Sequence, residues 1–336
     1  MEYTNILMKK PGIYIPENVV DNQYYIDHFH KLGMECDGLL KHLGREKRHF
    51  ANADETPLTM SIESIEDCLL ENKMQATDID MLVFAGDSPE YIVSNNAVRI
   101  VNAIGANNAI MAFDFNSNCT SMLNAIEVVK ATMLTNVNIK NAMIVGCFQP
   151  SMNSRKDDTV VYANFGDATA TIILTKAKED IKRGFLDVET RLDSSYCKYT
   201  NFPKCGMVKS LKRTIPIEPI ERRWEWIPFD SKFIPRIWTE MIDTMLKRNN
   251  KTPKDISYYI FSALSNFDNV KTLNNLGITE DDEKYYYFGT EYGYTGCTCQ
   301  ALCLNRMWDV MSKKDNEIIL CTVGAGASFI AQLYKF

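Results

Sequence analysis

The sequence predicts an α/β protein made of two similar halves, and two observations carry that expectation. Apolar runs of strand length alternate with segments of helical period through the first half, the pattern of a largely parallel sheet covered on both faces. Three stretches of that half then recur in the second at a nearly constant spacing. DIDMLVFAGDS from Asp78 returns as DISYYIFSALS from Asp255, CTSMLNA from Cys119 as CTCQALC from Cys297, and NAMIVG from Asn141 as EIILCT from Glu317. Chance likeness among apolar strands would not hold one spacing over three pairs. A duplicated α/β architecture accounts for both observations.

Residues 4–15 (TNILMKKPGIYI) read as a strand, a Pro-Gly break and a short strand, after which Pro16 opens a loop. Residues 20–43 have helical pattern, with Gly44 placed to cap them. The charged segment REKRHF (45–50) and the loop ANADETP lead to a helix over about 58–73. Residues 78–86 form an apolar strand and 91–104 a helix. Another apolar run, 109–115, reads as a buried strand, followed by a polar turn at 116–118 and then Cys119. Beyond it lies a helix over 120–134. Its polar residues Asn124, Glu127 and Lys130 leave one narrow wet stripe. Met122, Leu123, Ala125, Ile126, Val128, Val129, Met133 and Leu134 make the rest apolar, so the helix belongs inside the protein. Residues 141–148 are again a strand, and 164–174 a Gly-Asp turn running into one.

Residues 176–230 are charged, aromatic and broken by Pro203, Pro216, Pro219 and Pro228. They read as an irregular insertion that covers a site or makes a subunit contact. Within them ERRWEW (221–226) reads as a solvated, aromatic-anchored loop, with docking of an acidic partner through Arg222 and Arg223 as the alternative. From Ser231 the strand and helix pattern returns. The chain thus divides into halves at 1–175 and 231–336, joined by the 176–230 insertion.

With 336 residues the chain fits one large domain or two moderate ones. A formal net charge of −6 argues against a dedicated nucleic-acid binder. The ten cysteines are scattered and the N-terminus has no secretory apolar region, so a cytoplasmic protein with reduced thiols is expected. No apolar run approaches the roughly 20 residues that span a bilayer, so no membrane association is expected.

Cys119 stands where a buried strand turns into a buried helix. The free N–H groups and partial positive charge of the helix N-terminus favour a reactive thiolate there. A small buried core residue is the other reading of the same placement. Cys297, Cys299 and Cys303 are close enough in sequence to raise the question of a metal. A closed zinc site wants four ligands, however, and no histidine is near, so these cysteines read as small residues of the repeated helix and no metal is expected.

Several motifs fall in one order and spacing. GREKRH (44–49) is similar to "GIRERH", FGDATAT (165–171) to "FGDGAGA", and VGAGASFIAQLYKF (323–336) to "FGGGFTWGSALVRF", with Cys119 at a turn before a buried helix. Through these phrases, and over nearly its whole length, the chain resembles the thiolase superfamily and within it the β-ketoacyl-acyl-carrier-protein synthase III group. The resemblance implies a thiolase-like duplicated fold of five α-β-α-β-α layers, with the Cys119 and Cys297 helices in the middle. It implies attack of the Cys119 thiolate on an acyl thioester, an oxyanion held by the N–H groups of Cys119 and Ala325, and no bound cofactor. It also implies pairing of two chains through the strand at 109–115, whose free edge would be a liability in a monomer.

Two positions depart from the group. Its catalytic His, in "PHQAN", falls on Ser262, and its Asn, in "YGNTS", falls on Tyr294 of YGYTG (292–296). The four histidines, His28, His30, His42 and His49, all precede both positions and read as surface or strand-end residues. Serine is neutral and tyrosine has a pKa near ~10, so neither replaces a base poised near neutrality, and decarboxylative condensation is not expected. The Trp and Arg that sandwich adenine in the group fall on Gly38 and Thr159. That points to an acyl group on a carrier protein rather than on coenzyme A. The group's carrier-docking Arg falls on Phe267. Two functions follow from this pattern. One is an atypical acyltransferase loading Cys119. The other is a non-turnover partner in a heteromeric complex with a related chain, so a homodimer and a heterodimer are both open.

Overall fold

The computed structural model describes residues 2–212 and 216–336. The chain opens with β1 (Tyr3–Met8), β2 (Gly12–Tyr14) and β3 (Asn18–Asp21), then α1 (Asn22–Lys31), α2 (Asp37–Leu43) and β4 (Lys47–Phe50). The pattern at 20–43 is therefore a short strand and two helices rather than one helix. The break follows Lys31, where Gly33 takes a φ of 71°; Gly44 caps α2 as expected, at φ 72°. Next come α3 (Pro57–Asn72), β5 (Met81–Gly86), α4 (Asn96–Ile104), β6 (Met111–Phe115), α5 (Ser121–Thr135), β7 (Asn141–Phe148), α6 (Thr159–Asn164) and β8 (Ala168–Glu179). Helix α4 starts later than its apolar pattern because Asn95 caps it, accepting from Val98 N.

The stretch read as irregular contains a further strand, β9 (Gly184–Leu192), which joins a sheet. Its alternation in GFLDVETRL is hidden by charged residues, of which Asp187 and Glu189 pair with Arg248. The remainder of the insertion holds β10 (Thr200–Asn201), α7 (Met207–Leu211) and β11 (Glu225–Trp226). The second half then runs through α8 (Phe233–Arg248), β12 (Tyr258–Phe261), α9 (Asn266–Asn275), α10 (Gly289–Tyr292), α11 (Cys299–Met311), β13 (Glu317–Gly324) and β14 (Ser328–Lys335).

Two mixed sheets organise these elements. The six-stranded sheet has the order β1-β8-β7-β5-β6, with β2 on β8; β5 is parallel to β6 and β7, and β7 is antiparallel to β8. The four-stranded sheet has the order β12-β13-β14-β9, with β12 parallel to β13. Period-2 alternation sends Met81, Val83 and Ala85 of β5 inward and Leu82 and Phe84 outward. The inward residues share one central core with Met122, Ile126 and Val129 of α5, Ala301 and Leu304 of α11, and Ile318, Leu320 and Ile330 of the second sheet. Outside, α3 and α4 cover the first sheet, and α8 covers the second through Trp238, Met241 and Met245. The result is the expected layering: helices, sheet, α5 with α11, sheet, helices. Helix α5 is not apolar-packed all round, since Val128 and Leu134 are 39% and 55% exposed.

The internal repeat is visible in three dimensions. Helices α5 and α11 each follow a single 3-10 turn, Asn118–Thr120 and Gly296–Thr298, that carries Cys119 and Cys297. The two turns pack against each other at the middle of the molecule.

Candidate active site

Cys119 sits at the carboxyl end of β6, where a sheet of parallel strands gathers its ligand-binding side chains. Asn118 before it takes a φ of 54°, a conformation Asn tolerates better than most residues. The turn is pinned by Ser121 Oγ donating to Asn118 O at 2.6 Å and by Asn124 Nδ2 donating to Ser117 Oγ at 2.7 Å. Asn124, read as part of a wet stripe, is thus a brace for this turn. Across from it runs the Gly324–Ala327 turn between β13 and β14. A Cβ on Gly324 would lie 3.3 Å from Thr120 N and 3.4 Å from Cys119 N, so a larger residue would crowd the two turns by a few tenths of an ångström. Among the described residues no acceptor takes the Cys119 N–H. The Ala325 N–H approaches the thiol directly.

Cys119 is partly buried and opens into a narrow cavity whose empty volume, open solvent at its mouth included, is about 590 Å³. Phe165, Tyr196, Trp224, Trp226, Phe229 and Phe233 wall it, with Tyr294 and Leu264 beside the thiol. The ring centroids of Phe165 and Trp224 are 5.6 Å apart, and those of Trp226 and Phe229 also 5.6 Å. The insertion supplies most of these rings, which is why composition alone marked it as a cover.

The helix N-terminus does not make Cys119 a resting thiolate. Burial pushes its pKa up to about 12, and the negative charge of Asp87 adds to that; the Tyr294 hydroxyl and the Ala325 N–H, both approaching as hydrogen-bond donors, pull the other way. Desolvation outweighs the helix end here because the thiol faces aromatic rings rather than water. Asp87 escaped the sequence reading. It follows Gly86 at the carboxyl end of the buried strand β5, a position that could have marked it. Burial pushes its own pKa up to about 6, and Ser88 Oγ donates to it at 3.2 Å.

Tyr294 is 2% exposed, with its ring 5.8 Å from Phe148 and 5.4 Å from Phe165. Its backbone is clamped to the Phe165 turn, Tyr294 N donating to Asn164 O at 2.9 Å and Gly166 N to Tyr294 O at 3.0 Å. Ser262 is fully buried, its Oγ has no partner among the described residues, and it is not part of the cavity wall; Leu264, two residues on, takes that place. So Cys119, Tyr294 and Ala325 come together, and Ser262 stays behind the wall.

The other residues singled out lie elsewhere. On α1 His30 is exposed and His28 half-buried, the His42 ring tilts 4.9 Å from the exposed ring of Phe267, and His49 Nδ1 is 2.6 Å from Pro16 O. Gly38 lies in α2, and Thr159 opens α6. Cys297 and Cys303 belong to the central core, with Cys297 Sγ 3.7 Å from the carbonyl oxygens of Ala85 and Cys147. Cys299 packs in the aromatic cluster beside Cys119.

Within the charged segment GREKRH two arginines are buried while Glu46 and Lys47 are exposed. Arg45 and Arg48 are 2% and 0% exposed. Arg45 donates to Asn164 Oδ1 at 2.6 Å, to Leu264 O at 3.0 Å and to Ala263 O, so it ties the loop after β12 to the end of α6. Arg48 donates to Asn22 Oδ1 at 2.5 Å and to Ala163 O at 2.6 Å, and burial lowers its pKa to about 10. Asp167 of the FGD phrase accepts from Ala51 N at 2.8 Å, Ser151 N at 3.1 Å and Ser151 Oγ at 2.5 Å. These charges hold the site rather than act in it.

The family profile for 3-oxoacyl-[acyl-carrier-protein] synthase III matches residues 113–194, and the profile for the C-terminal part of the same proteins matches residues 246–336. A β-ketoacyl-[acyl-carrier-protein] synthase III of Clostridium novyi is 25% identical over 343 aligned positions, covering 99% of each chain. The crystal structure of 3-oxoacyl-[acyl-carrier-protein] synthase III from Aquifex aeolicus superposes with a TM-score of 0.83 at 18% identity, over 99% of this chain and 100% of the other. The priming β-ketosynthase of the R1128 polyketide pathway gives a TM-score of 0.84 at 17% identity, over 99% and 96%.

Proposed function

The chain belongs to the 3-oxoacyl-[acyl-carrier-protein] synthase III family, and from that premise we propose that it takes an acyl group from a thioester onto Cys119 and passes it to an acceptor. The observation that carries the proposal is a thiol at the wall of an apolar cavity with two N–H groups beside it, those of Cys119 and Ala325. The Cys119 sulfur attacks the thioester carbonyl, and the carbonyl oxygen becomes an oxyanion between those two donors. Collapse expels the donor's thiolate, which takes the proton given up by Cys119. A thioester and a thiol thus become a new thioester and a new thiol. An oxygen, nitrogen or carbon nucleophile would repeat the exchange in reverse to release the product, in fatty-acid-like or polyketide-type metabolism.

Carrier-bound acyl groups are the proposed donors, because the relatives are named for acyl-carrier protein and the adenine-sandwiching side chains are replaced at Gly38 and Thr159. No condensation by decarboxylation is proposed, since Ser262 lies behind the cavity wall and Tyr294 fills the space near the thiol. We place the protein in the cytoplasm; no helix among the described residues is long and apolar enough to cross a membrane. The chain is proposed to work as a dimer through the free edge of β6. Around that edge Ile110, Met111, Leu134 and Val137 are 59%, 38%, 55% and 80% exposed, an apolar surface suited to a second chain. A monomer by light scattering at micromolar concentration would end that part.

A second reading, a non-turnover subunit paired with a related chain, is favoured by the neutral, buried thiol. Intact-protein mass spectrometry with a panel of acyl donors separates the two. Acyl transfer requires a mass gain that is lost in Cys119→Ser, and its absence with every donor and partner leaves the subunit reading.

A further inference from the structure

We propose that the cavity at Cys119 selects a flat, uncharged aryl acyl group, of the benzoyl or cinnamoyl class, over saturated and over carboxylated acyl groups. The proposal rests on the acyl-transfer reading and adds the substrate class to it.

The wall supplies the argument. Rings meet the cavity from three parts of the chain: Phe165 before β8, Tyr196 and Tyr199 before β10, and Trp224, Trp226, Phe229 and Phe233 around β11 and the start of α8. They are already paired with one another. Phe165 meets Trp226 edge-on at 6.3 Å, Tyr199 meets Phe229 edge-on at 5.5 Å, and Tyr196 tilts over Phe233 at 4.6 Å. A cavity walled in this way offers both ring faces and ring edges, and a flat π-system entering it can extend the offset and edge-to-face pattern. A saturated chain gains only the apolar contact.

Among the described residues no charged side chain belongs to the wall; its polar side-chain atoms there are hydroxyls, the Cys119 thiol and the indole N–H groups. Of these, Thr200 Oγ1 accepts from Trp224 Nε1 at 3.4 Å and lies 3.3 Å from Glu225 O. Two cations of the cover are engaged elsewhere and do not line the cavity: Lys204 pairs with Glu221 at 2.7 Å and Arg223 donates to Met152 O at 2.7 Å. A malonyl or succinyl carboxylate entering this cavity would lose its water and find no cation among the described lining residues. The Asp87 charge, which already opposes a thiolate at Cys119, would oppose that carboxylate as well.

The test uses the whole protein and synthetic N-acetylcysteamine thioesters, with loading of Cys119 followed by intact mass. Cinnamoyl and nonanoyl donors have equal carbon number, as do benzoyl and heptanoyl. Each aryl member is expected to load at least about tenfold faster than its saturated partner. Malonyl and succinyl donors should load at least about a hundredfold slower than cinnamoyl. Equal or faster loading of nonanoyl overturns the aryl preference while leaving acyl transfer in place. A second measurement needs no chemistry: quenching of Trp224 and Trp226 fluorescence in Cys119→Ser by cinnamamide against nonanamide. Preferential cinnamamide binding without loading by any donor sustains the cavity assignment and sinks acyl transfer. Absence of cinnamamide preference in both measurements overturns the proposal.

Discussion

Changing Tyr294 to Phe isolates what the hydroxyl at the reactive thiol does. In the native protein burial and Asp87 raise the Cys119 pKa to about 12, against the pull of the Tyr294 hydroxyl and the Ala325 N–H. The ring itself should stay, because its packing on Phe148 and Phe165 needs no hydroxyl. Removing a neutral donor costs about 0.5–1.5 kcal/mol of its interaction with the thiolate. At about 1.4 kcal/mol per pKa unit, the thiol pKa rises by up to roughly one unit. The thiolate fraction then falls up to about tenfold at any pH below the pKa. A more basic thiolate is also a better nucleophile, with a Brønsted slope of about 0.4–0.5, so the alkylation rate falls only about threefold. Iodoacetamide alkylation of Cys119, followed by intact mass from about pH 7 to pH 10, should rise near tenfold per pH unit in both proteins. The Tyr294→Phe line should run about threefold lower throughout. A variant that alkylates as fast as the parent across that range would show that the hydroxyl does not stabilise the thiolate.

Asp87→Asn removes a negative charge that disfavours the thiolate, so the Cys119 pKa should fall by about half to one unit and alkylation should quicken. The difference should fade as pH drops through about 6, where Asp87 itself becomes neutral, and an effect independent of pH would point to a packing change instead. Gly296→Ala forces a φ of 57° on a residue with a Cβ and places that atom 2.4 Å from the Phe148 ring, so it should lower stability by about 2–4 kcal/mol, read as a melting temperature lower by at least about 4 °C. Unchanged melting would contradict the tight contact between Gly296 and the Phe148 ring. Tyr294→Asn alone should widen the cavity without releasing carbon dioxide from malonyl-carrier protein. Joined with Ser262→His, it should release a measurable amount, more than either single change, because both donors to an enolate are restored. A double variant as silent as the parent would mean that a side chain at position 262 cannot reach the thiol from behind Leu264.

The layered fold was legible because each layer leaves a period in the sequence. Residues 81–86 and 141–148 are buried on both faces and read as continuous apolar runs, and the recurrence of CTSMLNA as CTCQALC announced two helices in equivalent places. Strand β9 was missed because it is an edge strand with Glu189 and Arg191 among its alternating residues, and their charges mask a period of two. The burial of Arg45 and Arg48 is not visible in the local sequence either. A buried guanidinium is tolerable only when carbonyls and amides satisfy its fork of donors, and those acceptors, Ala163, Asn164, Ala263 and Leu264, come from distant parts of the chain. The thiol's neutrality was equally out of reach. The helix N-terminus that should activate Cys119 is local, while the rings that desolvate it arrive from residues 165 to 233.

Two polar groups without partners bear on the choice between a working enzyme and an inert subunit. Ser262 Oγ is buried, has no partner among the described residues and does not line the cavity, so it is indifferent to the choice. The Cys119 N–H is different. It lacks an acceptor at the cavity wall itself, in a turn where Ser117, Thr120, Ser121 and Asn124 supply side-chain hydrogen bonds to one another and to the backbone. A turn with so many acceptors close by would readily pair that N–H if nothing else were meant to use it. Holding it unpaired, with the Ala325 N–H across from it and Gly324 too small to interfere, preorganises two donors for a charge that exists only while an acyl group is being transferred. That arrangement supports the proposed acyl transfer over the proposed inert subunit, which would have no use for it.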